Sequence, residues 1–172
     1  MTGDIIEKLL YHCHNMPPLK KVLDMRSYVS GYVDGEGCFS VSFSRREKLL
    51  VGWETKPSFS VSQNAGRAEV LFHMQTYFGC GFLRRDFSDK TIKYEIRSLD
   101  ELLSKIIPHF DTYPLFSSKH KDFLLFKKIC CLMKKGKHRE PNGLRHIVEL
   151  AFHMNPSGKR KYSERDISAS LR

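Results

Sequence analysis

Phe39, Val41 and Phe43 alternate with Ser40, Ser42 and Ser44, and the pattern returns where Phe59 and Val61 alternate with Ser58, Ser60 and Ser62. A period of two sends the apolar set to one face of an extended chain and the serines to the other. Each segment must therefore cover one side and can leave the other in water, as strands of an antiparallel sheet do. Arg45-Arg46-Glu47-Lys48 is a polar connection between the two. The second strand is expected from about Leu50 to Gln63, with Pro57 marking a bulge or an edge position. Gly81–Phe87 and Thr91–Arg97 read as another hairpin, turning across Ser88-Asp89-Lys90.

Helical periodicity fills the intervals. Residues 1–16 are expected to form a short amphipathic helix with Ile5, Ile6, Leu9 and Leu10 on one face, broken by Pro17-Pro18. A second helix should run from about Lys20 to Asp34 with Val22, Leu23, Tyr28, Val29 and Tyr32, and Gly35-Glu36-Gly37 releases it. A third, about Arg67 to Phe78, carries Val70, Leu71, Met74 and Tyr77, and Gly79 closes it. Ser98 and Glu101 match a capping box opening a helix with Leu102, Leu103, Ile106 and Ile107, with Pro108 near its end. A loop through Pro114 leads to a helix of about Ser118 to Lys135, burying Phe123, Phe126, Ile129, Cys130 and Met133. Asn142 is expected to cap a last helix with Leu144, Ile147, Val148, Ala151 and Met154 inside. Asn155-Pro156-Ser157-Gly158 stops it, and Lys159-Arg160-Lys161 begins a basic tail. Hairpins separated by helices indicate an α+β fold, an antiparallel sheet backed by helices. With no repeat and no linker, the reading is one domain at 21–165, a helical extension at 1–20 and a tail at 166–172.

The 172 residues are 41% hydrophobic and include 12 Phe, enough for a packed core. Lys and Arg number 29 against 19 Asp and Glu, a net charge of +10, and nucleic acid is the commonest polyanion to meet such an excess. Cys13, Cys38, Cys80, Cys130 and Cys131 are odd in number and contain no C-x-x-C, which supports neither a disulfide framework nor a zinc knuckle. His12-Cys13-His14 cannot easily converge on one tetrahedral ion. No apolar run reaches the ~20 residues of a membrane span. Asp4 and Glu7, without a long apolar run or Arg enrichment, argue against a signal or transit peptide, so action in the compartment of synthesis is expected.

Ser27, Gly31 and Gly35 recur every four residues and fall on one side of the second helix. Glycine inside a helix costs ~1 kcal/mol relative to alanine, so the strip needs a reason. Either another chain's helix approaches closely there, or the chain's own does. Glu36 stands at the end of the strip. If the partner is a two-fold related copy, two Glu36 carboxylates lie near the axis, and a divalent cation would neutralise them. Oxygen ligands of this kind suit Mg²⁺, and paired metal ions are a known route to phosphodiester hydrolysis.

The nine residues VSGYVDGEG, Val29–Gly37, resemble the signature of the LAGLIDADG homing endonucleases, with Gly31, Asp34, Glu36 and Gly37 at the matching places. They depart from it with Val-Ser for Leu-Ala, Tyr for Leu, Gly for Ala and Glu for the final Asp. SFSVSQN at Ser58–Asn64, KHKDFLLFKKI at Lys119–Ile129 and NPSGKRKYS extend the similarity to roughly residues 25–165. The resemblance implies an αββαββα fold, a homodimer, and a four-stranded saddle lying on double-stranded DNA. Saddle contacts would then come from Ser40, Ser42, Ser44, Arg45, Arg46, Ser58, Ser60, Ser62, Arg84, Arg85, Lys93, Glu95 and Arg97. It further implies Glu36 and the Gly35 carbonyl as Mg²⁺ ligands, and Gln63 as holder of the water network. Arg67 and Lys119 (or Lys121, two residues on) would stabilise charge. Ser27, Gly31, Asp34 and Gly35 would form the dimer face, with Asp34 also steadying the helix end. The implied reaction is hydrolysis of both strands at a long, nearly palindromic site, serving intron mobility. The rival on the same fold is a maturase that binds intron RNA. Chloroplast, mitochondrion and bacterium remain open as hosts.

Overall fold

Asp24 opens the first helix by accepting from the backbone N–H groups of Arg26 and Ser27. The computed structural model describes residues 24–86, 89–155 and 158–171. The expected helix at 1–16, Pro17-Pro18 and His12-Cys13-His14 lie outside them, and the second helix, expected from about Lys20, begins only at Met25, because the extended Asp24 caps it there. Helix α1 spans Met25–Glu36, two residues further than expected, and turns Val29 and Val33 inward. Its stop is steric as well as conformational. A Cβ on Gly37 would stand 2.4 Å from Val33 Cγ1 and 2.8 Å from the Val33 carbonyl, so only glycine leaves the helix here without a clash.

Strands β1 (Gly37–Arg45), β2 (Trp53–Asn64), β3 (Phe82–Asp86) and β4 (Thr91–Ile96) form one four-stranded antiparallel sheet in the order β1-β2-β4-β3. The first hairpin is longer at its turn than expected. Leu49 and Gly52 close tight turns there, with Gly52 at φ 71°, and β2 begins only at Trp53. Pro57 sits in unbroken register with Val41, but the last β2–β4 pair is Phe59 with Ile96. At Pro57 the strand therefore has one neighbour, and the edge alternative holds. A 3-10 turn, Ala65–Arg67, precedes helix α2 (Glu69–Phe78), which Gly79 ends in the left-handed conformation at φ 59°.

Ser98 Oγ accepts from Glu101 N–H and opens α3 (Leu99–Glu101). The chain passes through a π-helical turn, Leu102–Ile106, into α4 (Ile107–Thr112). Pro108, expected near the helix end, is followed by helix as far as Thr112. It lacks an N–H to donate, and the wider turn just before it absorbs the misfit. Helix α5 spans Lys119–Lys134 and α6 Pro141–Phe152. Glu140 rather than Asn142 occupies the N-cap position of α6, because Pro141 takes the first helical position. Residues 166–172 were expected as tail, yet Glu164–Ala169 forms α7, capped reciprocally by Ser163 and Asp166. Ile167 and Leu171 are buried, and Trp53 Nε1 donates to Ser170 Oγ at 2.7 Å. No helix of the described residues is long and apolar enough to cross a membrane.

Helices and sheet meet in an aromatic cluster. The Phe39 ring lies 5.2–5.4 Å from Phe59, Phe110, Phe123 and Phe126. Beside it His109 is buried, with Ser30 Oγ 3.2 Å from Nε2 and Tyr77 Oη 3.0 Å from Nδ1. Ser30 spends its proton on the Tyr113 carbonyl at 2.7 Å, so His109 must donate from Nε2 and accept from Tyr77 at Nδ1. The imidazole is neutral, and burial pulls its pKa down to about 4. The unfolded chain, at the ordinary 6.5, binds the extra proton first. This contribution is therefore complete above about pH 6.5 and is lost as pH falls towards 4, by on the order of 3 kcal/mol. Urea denaturation across this window should show that loss, and His109→Gln should flatten it; equal slopes in both proteins would refute the assignment.

Candidate metal-binding helix end and nucleic-acid interface

Glu36 is the last residue of α1 and its carboxylate is exposed. Two residues earlier Asp34 is fully engaged. It accepts from the backbone N–H of Phe116 (3.0 Å) and Ser117 (2.9 Å) and from Ser117 Oγ (2.6 Å). Burial opposes ionisation of Asp34, but these hydrogen bonds and the nearby Lys119 hold its carboxyl below the usual range. Asp34 thereby clamps the loop before α5 onto α1, using its acceptors within its own chain. That clamp places the first residue of α5. Lys119 Nζ donates to the carbonyls of Val33 (2.9 Å) and Gly35 (3.2 Å), a favourable place for a cation at the negative end of a helix. Lys119, rather than Lys121, is the lysine at the helix end.

Ser27, Gly31 and Gly35 lie on the exposed side of α1. A Cβ on Gly31 or Gly35 would meet no described atom within 4 Å, so packing inside the described chain does not account for either glycine. Phe116, fully exposed at 101%, lines a cleft with Gly31 and Asp34 on this same side.

The other two residues expected at the site lie along the flank of α1. Gln63 Nε2 donates to Tyr32 Oη at 2.6 Å, and Gln63 Oε1 accepts from Asn64 N–H at 2.8 Å. Gln63 and Arg67 share a cleft of about 470 Å³ with Tyr28, Tyr32 and His73, whose lining does not include Glu36 or Lys119. The four residues thus fall into two pairs, one at the end of α1 and one beside it.

The register sorts the saddle candidates. Ser40 faces Ser58 with their hydroxyls 2.9 Å apart, and Ser62 pairs with Lys93, which pairs with Arg84. Ser42 and Ser44 share their side of the sheet by alternation, and Arg97, one residue beyond β4, reaches it by binding Glu95 and lying 5.5 Å over the Phe82 ring. Arg45 and Arg85 do not. Arg45 follows Ser44 onto the opposite side and stacks over Trp53 at 5.4 Å, and Arg85 turns the same way as Leu83, because consecutive strand residues cannot share a face. Arg46 lies beyond β1 and pairs with Glu54 at 2.9 Å. Ser60 and Glu95 are only 5% exposed, with Glu95 bound by Arg97 at 2.8 Å, so they floor the face instead of lining its surface. The sequence reading missed Lys56, opposite Ser42, and Asn64, opposite Thr91. Extending the serine alternation by one step at each end would have found both.

Arg84 and Lys93 stand directly opposite each other, an arrangement of like charges that costs free energy unless an anion lies over it. Burial pushes the Cys38 thiol pKa up, and Lys93 and Lys119 both oppose that shift. The basic face and the helix end therefore meet at Cys38. Among the described residues no three His, Cys, Asp or Glu side chains gather to hold a metal. What one chain offers is the Glu36 carboxylate and the Gly35 carbonyl. Two hard oxygens fit a cation that keeps water and phosphate in its remaining positions, and do not fit a closed thiolate or imidazole site.

Comparison with known proteins bears on the sequence and the fold. Residues 29–130 match the family model described as "LAGLIDADG endonuclease". Probable intron-encoded endonuclease 2 of Neurospora crassa is 30% identical over 130 residues, covering 75% of this chain and 29% of that protein. Among solved structures, the homing endonuclease I-TnaI superposes with a TM-score of 0.74 at 32% identity, covering 84% of this chain and 94% of that one. I-SmaMI, solved bound to uncleaved DNA target in the presence of calcium ions, gives 0.77 at 32% identity, covering 86% of this chain and 48% of that one. The chain spans less than half the length of the fungal intron-encoded relatives it matches. Signature, strand order and helix-end carboxylate thus coincide with a family match running from Val29 to Cys130, and the chain belongs to the LAGLIDADG endonuclease family.

Proposed function

We propose that this chain is one lobe of a two-lobed, divalent-metal-dependent endonuclease that cuts double-stranded DNA at a specific site. The observation that carries the reading is the end of α1. There an open glycine face runs to an exposed Glu36, with Lys119 seated beside it at the rim of a basic, serine-lined sheet face. Glu36 and the Gly35 carbonyl would hold Mg²⁺, and the bound ion would supply charge neutralisation and a water activated for attack on the phosphodiester. Lys119 would place a fixed positive charge where oxyanion charge develops. Ser42, Lys56, Arg84 and Lys93 would meet the major groove, whose base pairs present distinct donor and acceptor patterns. A second lobe, from an identical chain or from further sequence, would cover Gly31 and Gly35 and supply a second acid. The chain's near-complete span of I-TnaI and its half span of I-SmaMI support that arrangement. The relatives' names support an intron setting.

The test is incubation with a plasmid carrying the host intron's insertion site and Mg²⁺. Specific double-strand cutting, abolished by EDTA, is expected. Binding of intron RNA with enhanced splicing and no cutting would overturn the reading in favour of a maturase. The lobe arrangement has its own check. Gly31→Leu fills space that is open in the single chain, so its stability should hold or rise by a few tenths to ~1 kcal/mol on helix propensity. Self-association in sedimentation should nonetheless fall at least about tenfold. Unchanged association would place the second lobe elsewhere.

A further inference from the structure

We infer that Tyr32 is a positioning residue that sets the orientation of Gln63, an inference that rests on the endonuclease reading above. Tyr32 occupies the place where the LAGLIDADG signature carries leucine. An apolar side chain would fill that space as well, and the tyrosine adds one thing, a hydroxyl. The hydroxyl is used: Gln63 Nε2 donates to it at 2.6 Å. At the other end of the same amide, Gln63 Oε1 accepts from the Asn64 N–H at 2.8 Å.

A primary amide has two N–H donors and two acceptor lone pairs. Anchoring one of each fixes both the rotation of the amide plane and which end carries the oxygen. One N–H and one lone pair remain, held in set directions at a cleft that also receives Arg67. Glutamine otherwise loses close to 2 kcal/mol of rotamer freedom on being fixed, and Tyr32 meets much of that cost before any substrate arrives. The simpler account is that Tyr32 only packs. Its ring does sit partly buried, 6.1 Å from Tyr28. Packing alone, however, makes no use of the oxygen.

Tyr32→Phe separates the two, since it keeps the ring and removes the hydroxyl. Single-turnover cleavage at saturating DNA is expected to slow about tenfold, the scale of one lost hydrogen bond. DNA affinity should match wild type, and the thermal midpoint should fall by no more than about 4 °C. Gln63→Ala should slow cutting at least as much, and the double variant should be no slower than Gln63→Ala alone. In ¹⁵N spectra the Gln63 side-chain amide pair should shift towards free-glutamine positions in Tyr32→Phe. Wild-type cutting rates in Tyr32→Phe, or slowing that adds to that of Gln63→Ala, would overturn the inference. An unmoved Gln63 amide would overturn it without reference to activity. A wild-type chain that cuts no target would sink the endonuclease reading and this role with it, while the amide spectrum would still decide the contact.

Discussion

Glu36→Gln is expected to stop cutting while leaving the protein folded and bound to DNA. The substitution preserves shape and removes the charge that would hold a divalent ion. Among the described residues the Glu36 carboxylate makes no hydrogen bond or ion pair, so the fold does not lean on it. Its loss should therefore change stability by no more than about 0.5 kcal/mol. Removing one acid next to a polyanion should keep or raise DNA affinity. The chemical step should fall on the order of a thousandfold, the upper range for deleting one electrostatic partner of the transition state. Gel-shift and single-turnover assays on the same preparation measure the two quantities. Cutting by Glu36→Gln within about tenfold of wild type would remove Glu36 from the chemistry.

Phe39→Ala is the substitution expected to cost the most stability, about 3–5 kcal/mol. The ring is completely buried and touches four other phenylalanines contributed by β2, α4 and α5. Phe59, Phe110 and Phe123 are themselves packed against further rings, which limits how far they can move to fill the void. A domain of this size has only ~5–15 kcal/mol to lose. Ser40→Ala, one residue on and facing the other way, gives up only its hydrogen bond with Ser58 Oγ, so it should cost no more than about 1 kcal/mol and act on DNA binding instead. Urea denaturation of the pair tests the division of labour along β1. A loss under about 1.5 kcal/mol for Phe39→Ala would mean that the aromatic cluster does not organise the domain.

That pair also shows why the strands were legible in the sequence. Alternation is a local property of the chain, and Phe39 and Ser40 declare their faces without reference to anything distant. The same logic should have separated Arg84 from Arg85 and Ser44 from Arg45. Reading charge in place of parity put all four on one face. Glu36 and the glycine strip were legible for a related reason, since both depend only on the geometry of one helix and its end.

Other features had no local signal. Helix α7 is too short to be stable on its own, and it forms because Ile167 and Leu171 find buried positions and Ser170 meets Trp53. Pro108 stays inside a helix because a π turn precedes it. The choice of Lys119 over Lys121 follows from the Asp34 clamp on Ser117, a contact across 83 positions of sequence. The bond between Tyr32 and Gln63 likewise joins α1 to the end of β2.

By itself, then, the sequence determined the sheet, the helix that ends at Glu36 and the basic partner-binding character, because periodicity, glycine placement and net charge act within a few residues or as a sum. Only the tertiary structure decided which lysine reaches the helix end and what holds Gln63. Those depend on where distant segments meet, and hydrogen-bond geometry there turns on a residue's side of an element and on fractions of an ångström.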